Sequence, residues 1–423
     1  MPPPYCTNVH PGATLQALRA SLDEHAVAVR NALVDSGDLG RDEMLPLGAW
    51  LGAPVAFGLR DGGPGALASL RRWLDERRLA VVTLNGFPFD DFHAPRVKHD
   101  VYLPDWTAPQ RLDYTRALID CLPALAQGSG PLSISTLPLG WPMGAFTMAD
   151  EAPALEIAAG QLINAVEHAR RAADCTGRIV RLDLEPEPGC VLQRSSDVAV
   201  FVERFLRPEA RRRGVSDEAL ATHLGVCLDV CHLAVMFEEP ADFVANVRAA
   251  GVGIGKVQVS SAPRVDFRAG TSPRSIETLR RFAEDRYLHQ TMVRFPDGSM
   301  RFSDDLPGAL AWVSPDHPPV GEWRVHFHVP IHLQEIPGHG DASPAAEGTM
   351  GSDTLSTTRD LIVPALQASA ADRPTIEVET YAWSVLPDSL RPRRLADGIA
   401  EELREATRLM TAAERPSATA PLP

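Results

Sequence analysis

Gly225-Val-Cys-Leu-Asp-Val-Cys-His232 reads as a buried strand whose last residues switch from aliphatic side chains to an acid and an imidazole. Side chains alternate faces along a strand, so Cys227 and Asp229 lie on one face and Val226, Leu228 and Val230 on the other. The aliphatic row is suited to covering helices. An acid and a histidine at the end of such a strand predict a metal site at the mouth of a barrel.

The same two-sided writing recurs along the chain. Arg181, Asp183 and Glu185 alternate with Leu182 and Leu184; Lys256, Gln258 and Ser260 alternate with Val257 and Val259. His326 and His328 alternate with Val325, Phe327 and Val329, and Glu377 and Glu379 with Ile376 and Val378. A parallel strand covered on both faces is nearly all aliphatic. Here one row of each strand carries polar or ionisable groups.

Working outward, strand-like runs at 5–9, 47–52, 80–85 and 132–136 and near 180, 226, 256, 325 and 376 alternate with helical patterns near 14–35, 65–77, 108–126 and 393–412. Repeated strand then helix over this length predicts a parallel α/β fold, and a (β/α)8 TIM barrel leads. Nine candidate strands compete for eight places, so one is accessory; 47–52 and 324–329 are the two in question. Residues 287–303 read as a hairpin insert turning at Asp297-Gly298, a lid or an interface element. A second insertion near 330–352 contains the long loop 337–348, and long loops at strand ends of such folds tend to be functional. The expected organisation is one barrel domain over 1–412 and a disordered tail over 413–423. No internal repeat is visible.

The bulk composition is that of a globular protein: 423 residues, 44% of them apolar, suffice for a large core. No apolar run reaches the length of a membrane span, and the start Met1-Pro-Pro-Pro-Tyr-Cys lacks a signal-peptide pattern. The reading is therefore of a cytoplasmic protein without direct membrane insertion. A formal charge of −14 argues against nucleic acid as a partner. The six cysteines are scattered without Cys-x-x-Cys spacing and read mostly as small core residues. Phosphate-binding glycine loops and a Gly-x-Ser-x-Gly elbow are missing, which counts against nucleotide cofactors and serine hydrolysis.

Glu185, Asp229, a histidine and Glu379 form an oxygen and nitrogen donor set suited to Mn²⁺, Mg²⁺, Co²⁺ or Zn²⁺. Each sits at a predicted strand end, and in a barrel the C-terminal strand ends converge on one mouth. The competing reading is that each acid forms a salt bridge with Arg181, Lys256 or Arg324. His326 and His328 both point inward if their strand joins the barrel, and either is a candidate ligand. His232, one turn past Asp229, is a candidate for contact with substrate or a second ion, or for capping the following helix. Asn8, His10, Thr83, Asn85, Ser133 and Ser135 at the earlier strands are suited to binding the hydroxyls of a polyol, His10 and Asn85 foremost, or to filling the barrel. The turns at 85–89, 137–142 and 381–384 follow strands and are candidates to wall a pocket.

The segment 225–233 resembles the Asp-x-x-His segment of the xylose isomerase-like barrel superfamily, and Leu184-Glu-Pro and Val378-Glu-Thr resemble its two strand-end glutamates. By that resemblance Glu185, Asp229 and Glu379 inherit a metal-ligand role. Gln258 stands where the superfamily usually has a metal-binding histidine. A closer likeness spans nearly the whole chain: the segments 5–12, 84–89, 98–107, 133–139, 256–262 and 326–331 look like those of the metabolite-traffic family called EboE. That resemblance implies a bacterial gene-cluster protein handling a small secondary-metabolite precursor beside membrane proteins such as a UbiA-type prenyltransferase.

Three functions fit these residues. The first is a metal-dependent isomerase or epimerase in which Glu185 and Glu379 serve as base and acid on a small hydroxylated carbonyl compound. The second is metal-assisted hydrolysis. The third is a non-catalytic carrier or scaffold that hands a metabolite to membrane partners.

Overall fold

A computed structural model describes residues 2–147, 152–267, 274–338 and 353–415. Its strands, in chain order, are β1 (Tyr5–Cys6), β2 (Leu45–Trp50), β3 (Leu79–Asn85), β4 (Leu132–Thr136), β5 (Val180–Leu184), β6 (Leu224–Asp229) and β7 (Gly253–Val259). There follow β8 (Pro263–Asp266), β9 (Thr291–Arg294), β10 (Met300–Ser303), β11 (Glu322–Val325), β12 (Glu335–Ile336), β13 (Leu355–Thr357) and β14 (Thr375–Val378). Eight of them close a parallel barrel in the order β1-β14-β7-β6-β5-β4-β3-β2. The outward residues Val226, Leu228, Val257 and Val259 are fully buried under the surrounding helices, as a covered aliphatic row requires.

The remaining strands form a second sheet, β10-β9-β11-β8-β13-β12, built inside the crossover from β7 to β14. This settles the strand count. The weak run near 47–52 belongs to the barrel as β2, and the run near 325 is the accessory one. Residues 322–325 pair antiparallel with both β8 and β9, so the condition under which His326 and His328 would point inward from a barrel strand is not met. The sequence pattern of a strand is the same in either sheet; its hydrogen-bonding partners decide which one it joins. The expected hairpin is β9 and β10, paired Thr291 with Ser303 through Arg294 with Met300. Its tip places Gly298 at φ 85°, where a side chain is disfavoured. Most of the loop 337–348 and of the tail 413–423 lies outside the described residues. Among the described residues no helix is long and apolar enough to cross a membrane.

The interior of the barrel is an ion-paired layer beneath the mouth. Lys256 pairs with Glu377, both wholly buried, and Arg181 pairs with Asp183 at 3.2 Å. Asn85 locks the middle: its Nδ2 donates to Glu377 (2.8 Å), and its Oδ1 accepts from Lys256 (2.7 Å), Gln258 (3.1 Å) and Ser135 (3.1 Å). Two glycines make room for this layer. A Cβ on Gly48 would stand 1.6 Å from Glu377 Oε1, and one on Gly255 would stand 1.8 Å from Asp183 Oδ1.

Candidate metal centre

Three strand ends, β5 and β6 side by side and β14 one strand beyond β7, deliver three carboxylates to one point. Glu185 follows β5, Asp229 ends β6 and Glu379 follows β14, and each offers an oxygen within 4.8 Å of the others. All three are buried. The salt-bridge reading is not what the structure contains: Arg181 serves Asp183, Lys256 serves Glu377 and Arg324 serves Glu322 at 2.7 Å. Among the described residues no lysine or arginine pairs with Glu185, Asp229 or Glu379.

Asp229 also organises its own helix. Its Oδ1 accepts from the backbone N–H of His232 (2.9 Å), capping Val230–Val235, and from the Ser260 hydroxyl (2.8 Å). Its Oδ2 is buried without a hydrogen-bond partner and lies 3.7 Å from His328 Nε2. Against its desolvation, the neighbouring imidazoles and these donors hold the Asp229 carboxyl below its ordinary range. Burial first, and then the other carboxylates, pushes Glu185 and Glu379 well above theirs.

The chain leaving β11 stays extended and keeps its alternation. Phe327 packs on Phe282 and His289, while His326 and His328 turn to the barrel mouth. Each of three histidines has its Nδ1 against a carbonyl oxygen: His232 on Pro186 O (3.0 Å), His326 on Gln290 Oε1 (2.7 Å) and His328 on Glu379 O (2.8 Å). A carbonyl only accepts, so each Nδ1 carries the proton and each Nε2 presents a lone pair. Burial lowers the affinity of all three rings for a second proton, His232 to about 4. His232 Nε2 and His326 Nε2 nevertheless face each other at 3.1 Å, and His328 Nε2 is buried without a partner. Two facing lone pairs repel unless a cation or a shared proton lies between them.

The ligand atoms form overlapping groups: Glu185 with Asp229 and Glu379, Asp229 with His232 and His328, and Glu187 with His232 and His326. Glu187 was not singled out by the sequence, although it lies two residues past Glu185 and so on the same face of an extended segment. Tyr102 and Gln290 donate to its Oε1 at 2.7 and 2.9 Å, and burial raises it to about 7. Gln290 thus links Glu187 to His326. The local pattern gives no sign of that link, because the residues come from three distant segments.

The other sequence candidates are less directly placed. Gln258 lies beside Asp229 in the ladder, donating to Asn85 while its Oε1 has no hydrogen-bond partner. Asn85 lines the cavity with both ends of its amide engaged. His10 is not among the cavity-lining residues; it bonds Tyr5 and stacks on His25 at 4.7 Å. Asn8 lines the cavity instead, donating to Glu379 at 3.3 Å.

Above this cluster is a cavity. Glu185, Glu187, His232, His326, His328 and Glu379 form its polar side, and Phe87, Pro88, Phe92, Val97, Tyr287, Leu288 and Tyr381 its apolar side. The turns after β3 and β14 therefore do supply wall residues, and the insert adds Tyr287 and Leu288.

No family model matches the chain, and no curated protein sequence matches it. Solved structures similar to it include a xylose isomerase-like barrel and sugar epimerases. One is a xylose isomerase-like TIM barrel protein from Mycobacterium smegmatis in complex with magnesium, 12% identical over 97% of this chain and 97% of that one, with a TM-score of 0.48. Another is L-ribulose 3-epimerase, 12% identical over 99% of each chain, TM-score 0.45. A third is the IOLI protein with a binding zinc atom, 9% identical over 98% of this chain and 99% of that one, TM-score 0.43. At such identities no residue's role carries over from them to this chain.

Proposed function

We propose that the protein is a divalent-metal-dependent isomerase or epimerase acting on a small hydroxylated carbonyl compound. Glu185, Asp229 and Glu379, with His328, would hold the ion, and His232 and His326 complete the surrounding set. The observation that carries this reading is a buried cluster made almost wholly of acceptors: three uncompensated carboxylates and three imidazoles whose tautomers are fixed with Nε2 inward. Collecting that much unpaired negative and lone-pair density away from water is costly unless a cation neutralises it. The mixed oxygen and nitrogen donors suit Mn²⁺, Zn²⁺, Co²⁺ or Mg²⁺.

A bound divalent ion would polarise a carbonyl and acidify the neighbouring C–H. Glu185 and Glu379 would then exchange protons with that carbon. Removal by one glutamate and return by the other on the opposite face inverts a stereocentre, and return at the adjacent carbon isomerises. The aromatic side of the cavity keeps bulk water from the reacting carbon.

The motifs quoted at the outset support a finer part of the proposal: membership of the EboE metabolite-traffic family, with work beside membrane proteins such as a UbiA-type prenyltransferase. Co-purification from membranes of a strain carrying both proteins tests that part.

The central test is metal content by elemental mass spectrometry of wild type and of Glu185→Gln, Asp229→Asn and Glu379→Gln, each checked for folding by circular dichroism. Near-stoichiometric metal in wild type, lost in the folded variants, is expected. With metal present, ketose and polyol-ketone candidates should take up solvent deuterium next to the carbonyl. A wild type that stays metal-free after addition of Mn²⁺, Zn²⁺ and Co²⁺ would sink the reading and favour a non-catalytic carrier.

A further inference from the structure

We infer, resting on the metal-dependent reading above, that the substrate is an uncharged hydroxylated carbonyl compound bearing an apolar substituent, rather than a free sugar or a sugar phosphate. Two features of the cavity converge on this. The first concerns charge. Among the described residues Lys98 is the one lysine or arginine that lines the cavity, and its three ammonium donors are consumed by Glu284 O (3.0 Å), Tyr287 O (2.7 Å) and Asp305 Oδ2 (2.7 Å). Among the described residues a phosphate on the substrate would find no cationic side chain of the lining free to receive it, and it would face Glu185, Glu187 and Glu379.

The second feature is the apolar side. Phe92, Tyr287 and Tyr381 form a mutually packed trio with ring centroids 4.9, 5.4 and 5.2 Å apart. Tyr287 spends its hydroxyl on Phe92 O at 3.1 Å. Tyr381 lies 4.7 Å from the ring of His328, so the aromatic side continues directly from the metal-ligating side. The trio is preorganised, because the backbone N–H groups of Val97 and Lys98 both bond Arg286 O (2.8 and 2.9 Å) and tie the β3 loop to the inserted segment. A hydroxylated head at the carboxylates and an apolar group against the trio satisfy both ends at once.

The test is calorimetric binding to the full-length chain reconstituted with Mn²⁺, using D-fructose, D-fructose 6-phosphate and 6-O-benzyl-D-fructose. The benzyl ether should bind about tenfold or more tightly than the free ketose, the phosphate should be the weakest of the three, and Phe92→Ala should shrink the benzyl preference severalfold. Parity of ketose and ether, tightest binding of the phosphate, or no binding by any of the three overturns the inference. Strong preference for the ether that persists unchanged in metal-free protein leaves the inference standing and removes the metal-dependent reading instead.

Discussion

Ser260 and Gln290 do at the residue scale what a metal-binding cluster needs from its surroundings: they fix the orientation of groups that would otherwise rotate. Ser260 accepts from the Cys231 N–H (2.8 Å) and donates to Asp229 Oδ1, leaving Oδ2 turned to His328. Removing such a partner usually weakens metal binding by about ten- to a hundredfold. Ser260→Ala is therefore expected to release Mn²⁺ to a chelator at roughly ten- to a hundredfold lower competitor concentration, with an unchanged circular dichroism spectrum. A shift within twofold would mean that Asp229 is held by something else. The same titration on Gln290→Leu reads whether His326 shares the ion, since Gln290 Oε1 is the acceptor that fixes its tautomer.

At the scale of elements, the final helix (Leu395–Ala413) is a fastener for two ligand-bearing segments. Its buried face is apolar except for Glu402, which accepts from Ile331 N (3.1 Å), Thr380 Oγ1 (2.6 Å) and Trp383 Nε1 (3.1 Å). Those donors lie just past His328 and just past Glu379. Glu402→Ala leaves three buried donors without an acceptor and is expected to cost about 2–3 kcal/mol in urea unfolding. Burial also raises the Glu402 carboxyl to about 7. Its proton is therefore held more tightly in the folded state than in the unfolded chain, where the group titrates near the ordinary 4.5. The stabilisation from that proton is complete below about pH 4.5 and is lost as pH rises through about 7, for a total of roughly 3 kcal/mol. Stability of wild type measured between pH 4.5 and 7.5 should fall more steeply than that of Glu402→Gln, by up to one proton's slope. Parallel curves would contradict a raised Glu402.

Across the whole molecule, a polar interior layer of the barrel lies beneath a mouth lined by unpaired carboxylates and imidazoles. Lys256→Met leaves Glu377 buried and unpaired, with an expected loss of about 3–5 kcal/mol, whereas Lys256→Met with Glu377→Leu should recover most of it. Denaturant midpoints of the three proteins decide this, and a double variant no better than the single one would show that Asn85 and Gln258 need the ions. A metal held by the closed mouth and not by the unfolded chain would raise stability by about 2.7 kcal/mol at a free concentration a hundred times its dissociation constant. A thermal midpoint unmoved by Mn²⁺, Zn²⁺ or Co²⁺ would oppose a metal centre.

The architecture was legible because alternation is local: Asp183 and Leu184, or Glu377 and Val378, declare an inward and an outward face without reference to any distant residue. The convergence of Glu185, Asp229 and Glu379 was legible for the related reason that strand ends of a parallel barrel meet at one rim. Pattern alone assigned neither the accessory strand nor the salt-bridge partners. Residues 322–329 are written like a barrel strand, and only the pairing of 322–325 with β8 and β9 takes that strand into the second sheet. Glu187, Tyr102 and Gln290 join across separations of 85 to 188 residues, and no local periodicity encodes such contacts. The sequence by itself determined the two-faced strands and the carboxylates at their ends. Tertiary structure alone decided that the chain leaving an inserted sheet carries His326 and His328 to the mouth, because sheet membership is set by hydrogen-bond partners remote along the chain.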